Sequence, residues 1–185
     1  RWFTAVDGKK FQSWIVYPPN FDSTKKYPMI LFCQGGPQSM VSLTYHYRWN
    51  FALFASQGYI LVAPNRRGVP GFGQDWNDAI SLDWGGKAMD DLLAATDQFS
   101  EEPYVDKTGR AAIGASAGGY AAYWLAGHHQ TSFSAFVSHC GVFAIVSKYG
   151  STEELFFPNR EFGGPYCIPK NRENMEKNSP HNYVQ

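Results

Sequence analysis

Residues 110–129, RAAIGASAGGYAAYWLAGHH, restrict the possible folds more than any other stretch of the chain. Arg110–Ile113 reads as a short buried strand, and Tyr120–Gly127 reads as a helix. Between them lies Gly114-Ala115-Ser116-Ala117-Gly118, a Gly-x-Ser-x-Gly turn in the strand-to-helix setting of a nucleophile elbow. A serine at so tight a turn is forced into strained backbone geometry, with its hydroxyl held out of the sheet. Side chains at 114 or 118 would collide with neighbouring backbone, so both positions call for glycine. The helix that starts at once offers free N–H groups and the positive end of its dipole to an oxyanion.

The rest of the chain fits a mostly parallel sheet around this turn. Arg1–Val6 and Phe11–Tyr17 flank Asp7-Gly8, a hairpin signal. Pro28–Cys33 and Tyr59–Ala63 are apolar runs suited to central parallel strands. Helices are predicted over Tyr47–Gln57 and Gly85–Phe99. Asn65–Asn77 and Glu101–Thr108 are predicted as loops, and Ala135–His139 as a further strand. No buried strand is evident after Gly141. A hairpin followed by alternating strands and helices predicts an α/β architecture, a mostly parallel sheet with helices on both faces in three αβα layers.

Composition narrows the function classes. The 185 residues suit one domain, and 16 Lys and Arg balance 16 Asp and Glu. Nothing in that balance points to nucleic acid or to an anionic membrane, and runs such as Met29–Cys33 are too short to span a bilayer. Cys33, Cys140 and Cys167 have no paired spacing, so neither a metal site nor a disulfide framework is expected. No cofactor is implied.

Ser116 is the candidate nucleophile, and it needs a histidine base oriented by a carboxylate. In this fold the acid and the histidine follow the serine, each after a later strand. Here the last aspartate is Asp106, before the serine, and the later acids are Glu153, Glu154, Glu161, Glu173 and Glu176. His128 and His129 fall at the far end of the elbow helix, His139 ends a strand as a packed or hydrogen-bonded residue, and no strand-then-acid element precedes His181. The acid and base are therefore expected beyond Gln185. The Ala117 N–H is the expected first oxyanion donor, and the Gln34-Gly35-Gly36-Pro37 loop is expected to supply the second, Gln34 through its side-chain amide. A plain tight turn is the competing reading of that loop. Cys33 closes an apolar run and reads as a packed thiol. Arg66 and Arg67 read as loop-ordering side chains in preference to a charge at the site. Phe143, Tyr149 and Phe156 either wall a substrate pocket or cap the core.

Four segments in register, CQGGPQS, APNRRGVPGFG, DWGGKAMDDL and GASAGGYAAYWLAG, resemble the catalytic domain of the prolyl oligopeptidase family of serine peptidases. The likeness runs from about Trp2 to the end of the chain and is greatest to bacterial dipeptidyl-peptidase and acylaminoacyl-peptidase members. It implies metal-free cleavage of short peptides by a Ser-Asp-His triad, with the nucleophile at Ser116, the backbone donor at Ala117 and the side-chain donor at Gln34. Many relatives carry Tyr or His at the Gln34 position, and often Tyr after the serine. Residues 1–185 are then expected to be the N-terminal portion of one α/β-hydrolase domain, following a β-propeller and completed by further chain. The expected partners are a peptide substrate and the rest of the same polypeptide, with a homo-oligomer left open. A bacterial periplasm or cytoplasm is the implied compartment. An esterase on the same fold and a noncatalytic interaction fragment are the alternatives.

Overall fold

A computed structural model describes residues 1–42, 44–129 and 131–184. The sheet contains β1 (Trp2–Thr4), β2 (Lys10–Val16), β3 (Tyr27–Cys33), β4 (Ile60–Pro64), β5 (Val105–Ala115) and β6 (Ala135–His139) in the order β1-β2-β4-β3-β5-β6. β1–β2 and β2–β4 pair antiparallel; β4–β3, β3–β5 and β5–β6 pair parallel. The helices are α1 (Phe51–Ser56), α2 (Gln74–Asp78), α3 (Lys87–Ser100), α4 (Ala117–His128), α5 (Ile145–Ser151), α6 (Phe156–Phe162) and α7 (Pro169–Lys177), followed by a 3₁₀ turn over Pro180–Tyr183. The architecture is the α/β-hydrolase fold. No helix among the described residues is long and apolar enough to cross a membrane.

Alternation along the strands divides the core. Leu31 and Met29 of β3 point with Phe99 and Leu92 of α3 and Tyr120 and Leu125 of α4 into a large buried cluster. Ile30 and Phe32, one residue out of phase, join Leu61, Ala63 and Ile113 on the opposite face, beneath α1. β6 is the last strand of the sheet among the described residues, and Val137 on it is 53% exposed.

Several elements differ from their predicted bounds. α1 begins four residues later than Tyr47, because Asn50 is its N-cap and accepts from the Leu53 N–H at 3.2 Å. β5 begins at Val105, extending the predicted strand back through Asp106–Thr108, because Val105 registers with Tyr27. α4 starts at Ala117, three residues early, since Ser116 itself occupies the cap position. α2 begins within the segment Asn65–Asn77 predicted as a loop and ends one residue beyond it. Residues 145–177, which carried no strand signal, contribute α5, α6 and α7.

Candidate active site

The parallel strands β3, β5 and β6 deliver Cys33, Ala115 and His139 to one edge of the sheet, the carboxyl-terminal edge where ligands bind in open α/β folds. Cys33 registers with Gly114, so the chain leaving β3 at Gln34 runs beside the turn leaving β5. Ser116 sits in that turn at φ 56° and ψ −120°, a backbone region that side chains rarely adopt. It is exposed, whereas Ala112–Ala115 before it and Ala117–Ala122 after it are buried. A Cβ at Gly118 would overlap the Cys33 carbonyl, and one at Gly114 would overlap the Gly118 backbone. The elbow can form only because β3, β5 and α4 approach each other there without side chains.

Two kinds of N–H meet at this turn. The Ser116 N–H is occupied, donating to the His139 carbonyl at 3.0 Å. The Ala117 N–H, in the first turn of α4, has no intrahelical acceptor and lies at the positive end of the helix dipole. On the other side, Gly35 packs so closely that a Cβ there would lie 2.8 Å from the Ala115 carbonyl oxygen. The half-buried Gln34 side chain donates one amide hydrogen to Ser39 Oγ at 3.1 Å, which leaves its second for another acceptor.

The Gln34–Gln38 loop is held from two directions. Arg66, 1% exposed, donates from Nη2 to the carbonyls of Gln34 (3.1 Å) and Pro37 (3.5 Å), and from Nη1 to that of Arg67 (2.9 Å). Burial pulls this guanidinium down to about 10, still charged at neutral pH. From α6, the buried Glu161 accepts from Gln38 Nε2 (3.0 Å), Ser81 Oγ (3.1 Å) and Trp84 Nε1 (2.9 Å). Sequence reasoning noted Glu161 only as one of several late acids. Its partners lie 77 to 123 residues away, and no local pattern signals them.

Arg67 serves a different purpose. Its guanidinium is 2% exposed and bonds Asp91 at 2.8 Å and Asp7 at 3.0 Å, tying the β1–β2 turn to α3. Burial opposes its charge, but the hydrogen bonds it donates to Asp91 and Asp7 outweigh that and raise its pKa. The same hydrogen bond holds Asp7 down at about 2. Cys33 is fully buried, and desolvation pushes its thiol up to about 12, so it is protonated at neutral pH and unsuited to nucleophilic attack.

Among the described residues, no histidine ring is hydrogen-bonded to the Ser116 hydroxyl; His139 meets Ser116 only through its backbone carbonyl. His128 stacks on Trp124 at 4.2 Å, His129 packs against Phe136 at 4.9 Å, and His181 lies 6.0 Å from Phe143. The His139 ring meets Trp49 edge-on at 6.4 Å. No cluster of His, Cys, Asp or Glu among the described residues forms a metal site.

A cleft of about 560 Å³ opens beside Ser116, with Gln34, Gly35, Trp14, Phe32, Trp49 and Phe51 among its walls. Phe143, Tyr149 and Phe156 are not in those walls. Phe143 packs on Tyr123 at 4.9 Å, Tyr149 donates to Asn159 at 3.0 Å, and Phe156 is 74% exposed on α6.

Residues 45–185 match the model of the prolyl oligopeptidase family. The chain belongs to that family. Among the family's curated members, it is 51% identical over its whole length to dipeptidyl-peptidase 5 of Porphyromonas gingivalis and 39% identical over 99% of it to dipeptidyl-peptidase 5 of Schizosaccharomyces pombe. In each case it covers 27% of the relative, so the chain spans about a quarter of the length of these curated proteins. The solved acylaminoacyl peptidase of Pyrococcus horikoshii superposes on 99% of the chain with a TM-score of 0.89 at 27% identity, and 29% of that structure is matched.

Proposed function

We propose that the polypeptide containing this chain is a serine peptidase that cleaves short peptides, of the dipeptidyl-peptidase or acylaminoacyl-peptidase type carried by its relatives' names. The observation that supports it most is the exposed Ser116 at φ 56°, standing on a buried strand and helix beside the unpaired Ala117 N–H. Ser116 Oγ attacks the scissile carbonyl carbon while a base takes its proton. The resulting oxyanion accepts from the Ala117 N–H and from the free Gln34 amide hydrogen. The C–N bond then breaks, the base returns the proton to the departing amine, and water hydrolyses the acyl-enzyme by the same steps in reverse.

In this reading the acid and the base come from polypeptide outside these 185 residues. Residues 1–185 form the N-terminal part of the catalytic domain, further strands continue the sheet beside β6, and a β-propeller precedes it. The test is made on the full-length polypeptide. A fluorophosphonate should label it, and Ser116→Ala should abolish both labelling and hydrolysis of dipeptidyl amides while leaving the melting temperature near wild type. Labelling that survives in the alanine variant removes Ser116 from the mechanism. Turnover of esters without amides identifies an esterase instead.

A further inference from the structure

Glu161 puts a carboxyl group where packing alone favours an apolar side chain. It is 1% exposed on α6, and no lysine, arginine or histidine pairs with it among the described residues. Its oxygens are filled by neutral donors instead. Oε1 accepts from Gln38 Nε2 at 3.0 Å and Ser81 Oγ at 3.1 Å, and Oε2 accepts from Trp84 Nε1 at 2.9 Å. The Glu161 main-chain carbonyl accepts from the Leu82 N–H at 2.7 Å. Three side-chain donors converging on one group suit a carboxylate, which only accepts. Such a group contributes geometry more than stability, because its desolvation cost offsets much of what its bonds return.

The geometry it fixes reaches the site from two sides. Gln38 is followed by Ser39, whose Oγ accepts from Gln34 Nε2 at 3.1 Å and so orients the Gln34 amide. The loop is tightly wound there: a Cβ at Gly36 would lie 2.8 Å from the nitrogens of both Gln38 and Ser39, so a shift of Gln38 carries Ser39 with it. On the other side, the Trp84 ring meets Tyr120 of α4 edge-on at 5.1 Å, and the Tyr120 N–H donates to the Ser116 carbonyl at 2.9 Å. Arg66 grips only main-chain carbonyls of this loop, those of Gln34 and Pro37, so it sets the path of the backbone and not the direction of a side chain. Glu161 itself does not line the cleft at Ser116 and can act there only through its partners. We propose that Glu161 is a positioning residue. By tying Gln38 to Trp84 it sets the direction of the Gln34 amide relative to Ser116, and with it the stabilisation of the oxyanion. This rests on the peptidase reading above.

Two variants of the full-length polypeptide test it. Gln38→Met removes the loop's donor and leaves Glu161 its bonds to Ser81 and Trp84. Glu161→Gln keeps the shape but turns one acceptor oxygen into a donor that faces other donors. Turnover of dipeptidyl amides is measured per site titrated with a fluorophosphonate. Each variant should lower kcat about tenfold, with KM changed by less than about twofold. In a Gln34→Ala background neither should lower kcat further. A merely structural role lowers the melting temperature or the number of titrated sites and leaves kcat per site unchanged, and that result overturns the proposal. Equal losses with and without Gln34 also overturn it, since Glu161 then does not act through that amide. Should Glu161→Gln fail to fold, Gln38→Met decides the question alone. Unchanged kcat in Gln34→Ala overturns the positioning role and leaves the peptidase reading standing. A wild-type protein that takes up no fluorophosphonate and cleaves no amide removes that reading itself, and the positioning role with it.

Discussion

The two faces of the central sheet are furnished very differently. On one, α3 and α4 close over Leu31, Met29, Val62 and Ala112, and Phe3, Phe11, Phe99 and Tyr120 complete a continuous core. On that side buried Arg67 pairs with Asp91, and the Tyr120 hydroxyl donates to the Asn178 carbonyl. On the other, the six-residue α1 and half-buried Trp14, Trp49 and Phe51 cover a small cluster around Phe32 and Ile113. The nucleophile candidate stands between them. A strained serine persists only where its surroundings over-determine it, and the heavily packed face supplies that constraint. The lightly covered face leaves the space at Ser116 that a substrate needs.

The largest expected effect breaks the packed side at the elbow. Gly118→Val places a branched side chain against the Cys33 carbonyl, so it should abolish soluble, cooperatively melting protein, not merely activity. A normally melting variant would falsify the close approach of β3 and α4. The contrast between faces is sharpened by a pair of truncations. Phe99→Ala, in the fully buried core, should cost about 3–5 kcal/mol in chemical denaturation. Phe51→Ala, half-buried on the open side, should cost about 1–2 kcal/mol, and equal losses would mean the two faces are equally packed.

An effect on rate and not on stability is expected at the lip of the cleft. Gln34→Ala should reduce kcat by ~10²-fold with KM much less affected, because the lost donor acts on charge that develops during reaction. Unchanged kcat would move the second donor to a backbone N–H of Gly35 or Gly36. The smallest effect is electrostatic and belongs to the packed side. Because Arg67 depresses the Asp7 pKa to about 2, the pair stabilises the fold above the ordinary carboxylate pKa, and that contribution fades as pH falls toward 2. Asp7→Asn should therefore lower the melting temperature near neutral pH, and the gap from wild type should close progressively below about pH 4. A gap that stays constant down to pH 2 would show that the Asp7 charge does not matter.

Much of the framework is legible along the chain because it depends on neighbours a few residues apart. Alternation and apolar runs mark β2, β3, β4 and β6, Asp7-Gly8 marks the first turn, and Gly-x-Ser-x-Gly marks the strand-to-helix junction that carries Ser116. Even there, local competition decided details: the Asn50 side chain capped α1 and cut it short. What surrounds Ser116 was settled only by the tertiary structure. The order β2-β4-β3-β5 brings Trp14 and Phe32 to one cleft with Trp49, sets Arg66 under the Gln34 loop and carries Glu161 across to Gln38. Phe143, Tyr149 and Phe156 attract attention as aromatics after the last strand, and they are not among the residues lining the cleft at Ser116. The physical reason is one of range. Backbone preference and side-chain periodicity act over one or two turns, so they are written locally. The partner of a buried charge or a pocket wall depends on which strands lie side by side, and that depends on the packing of the whole sheet.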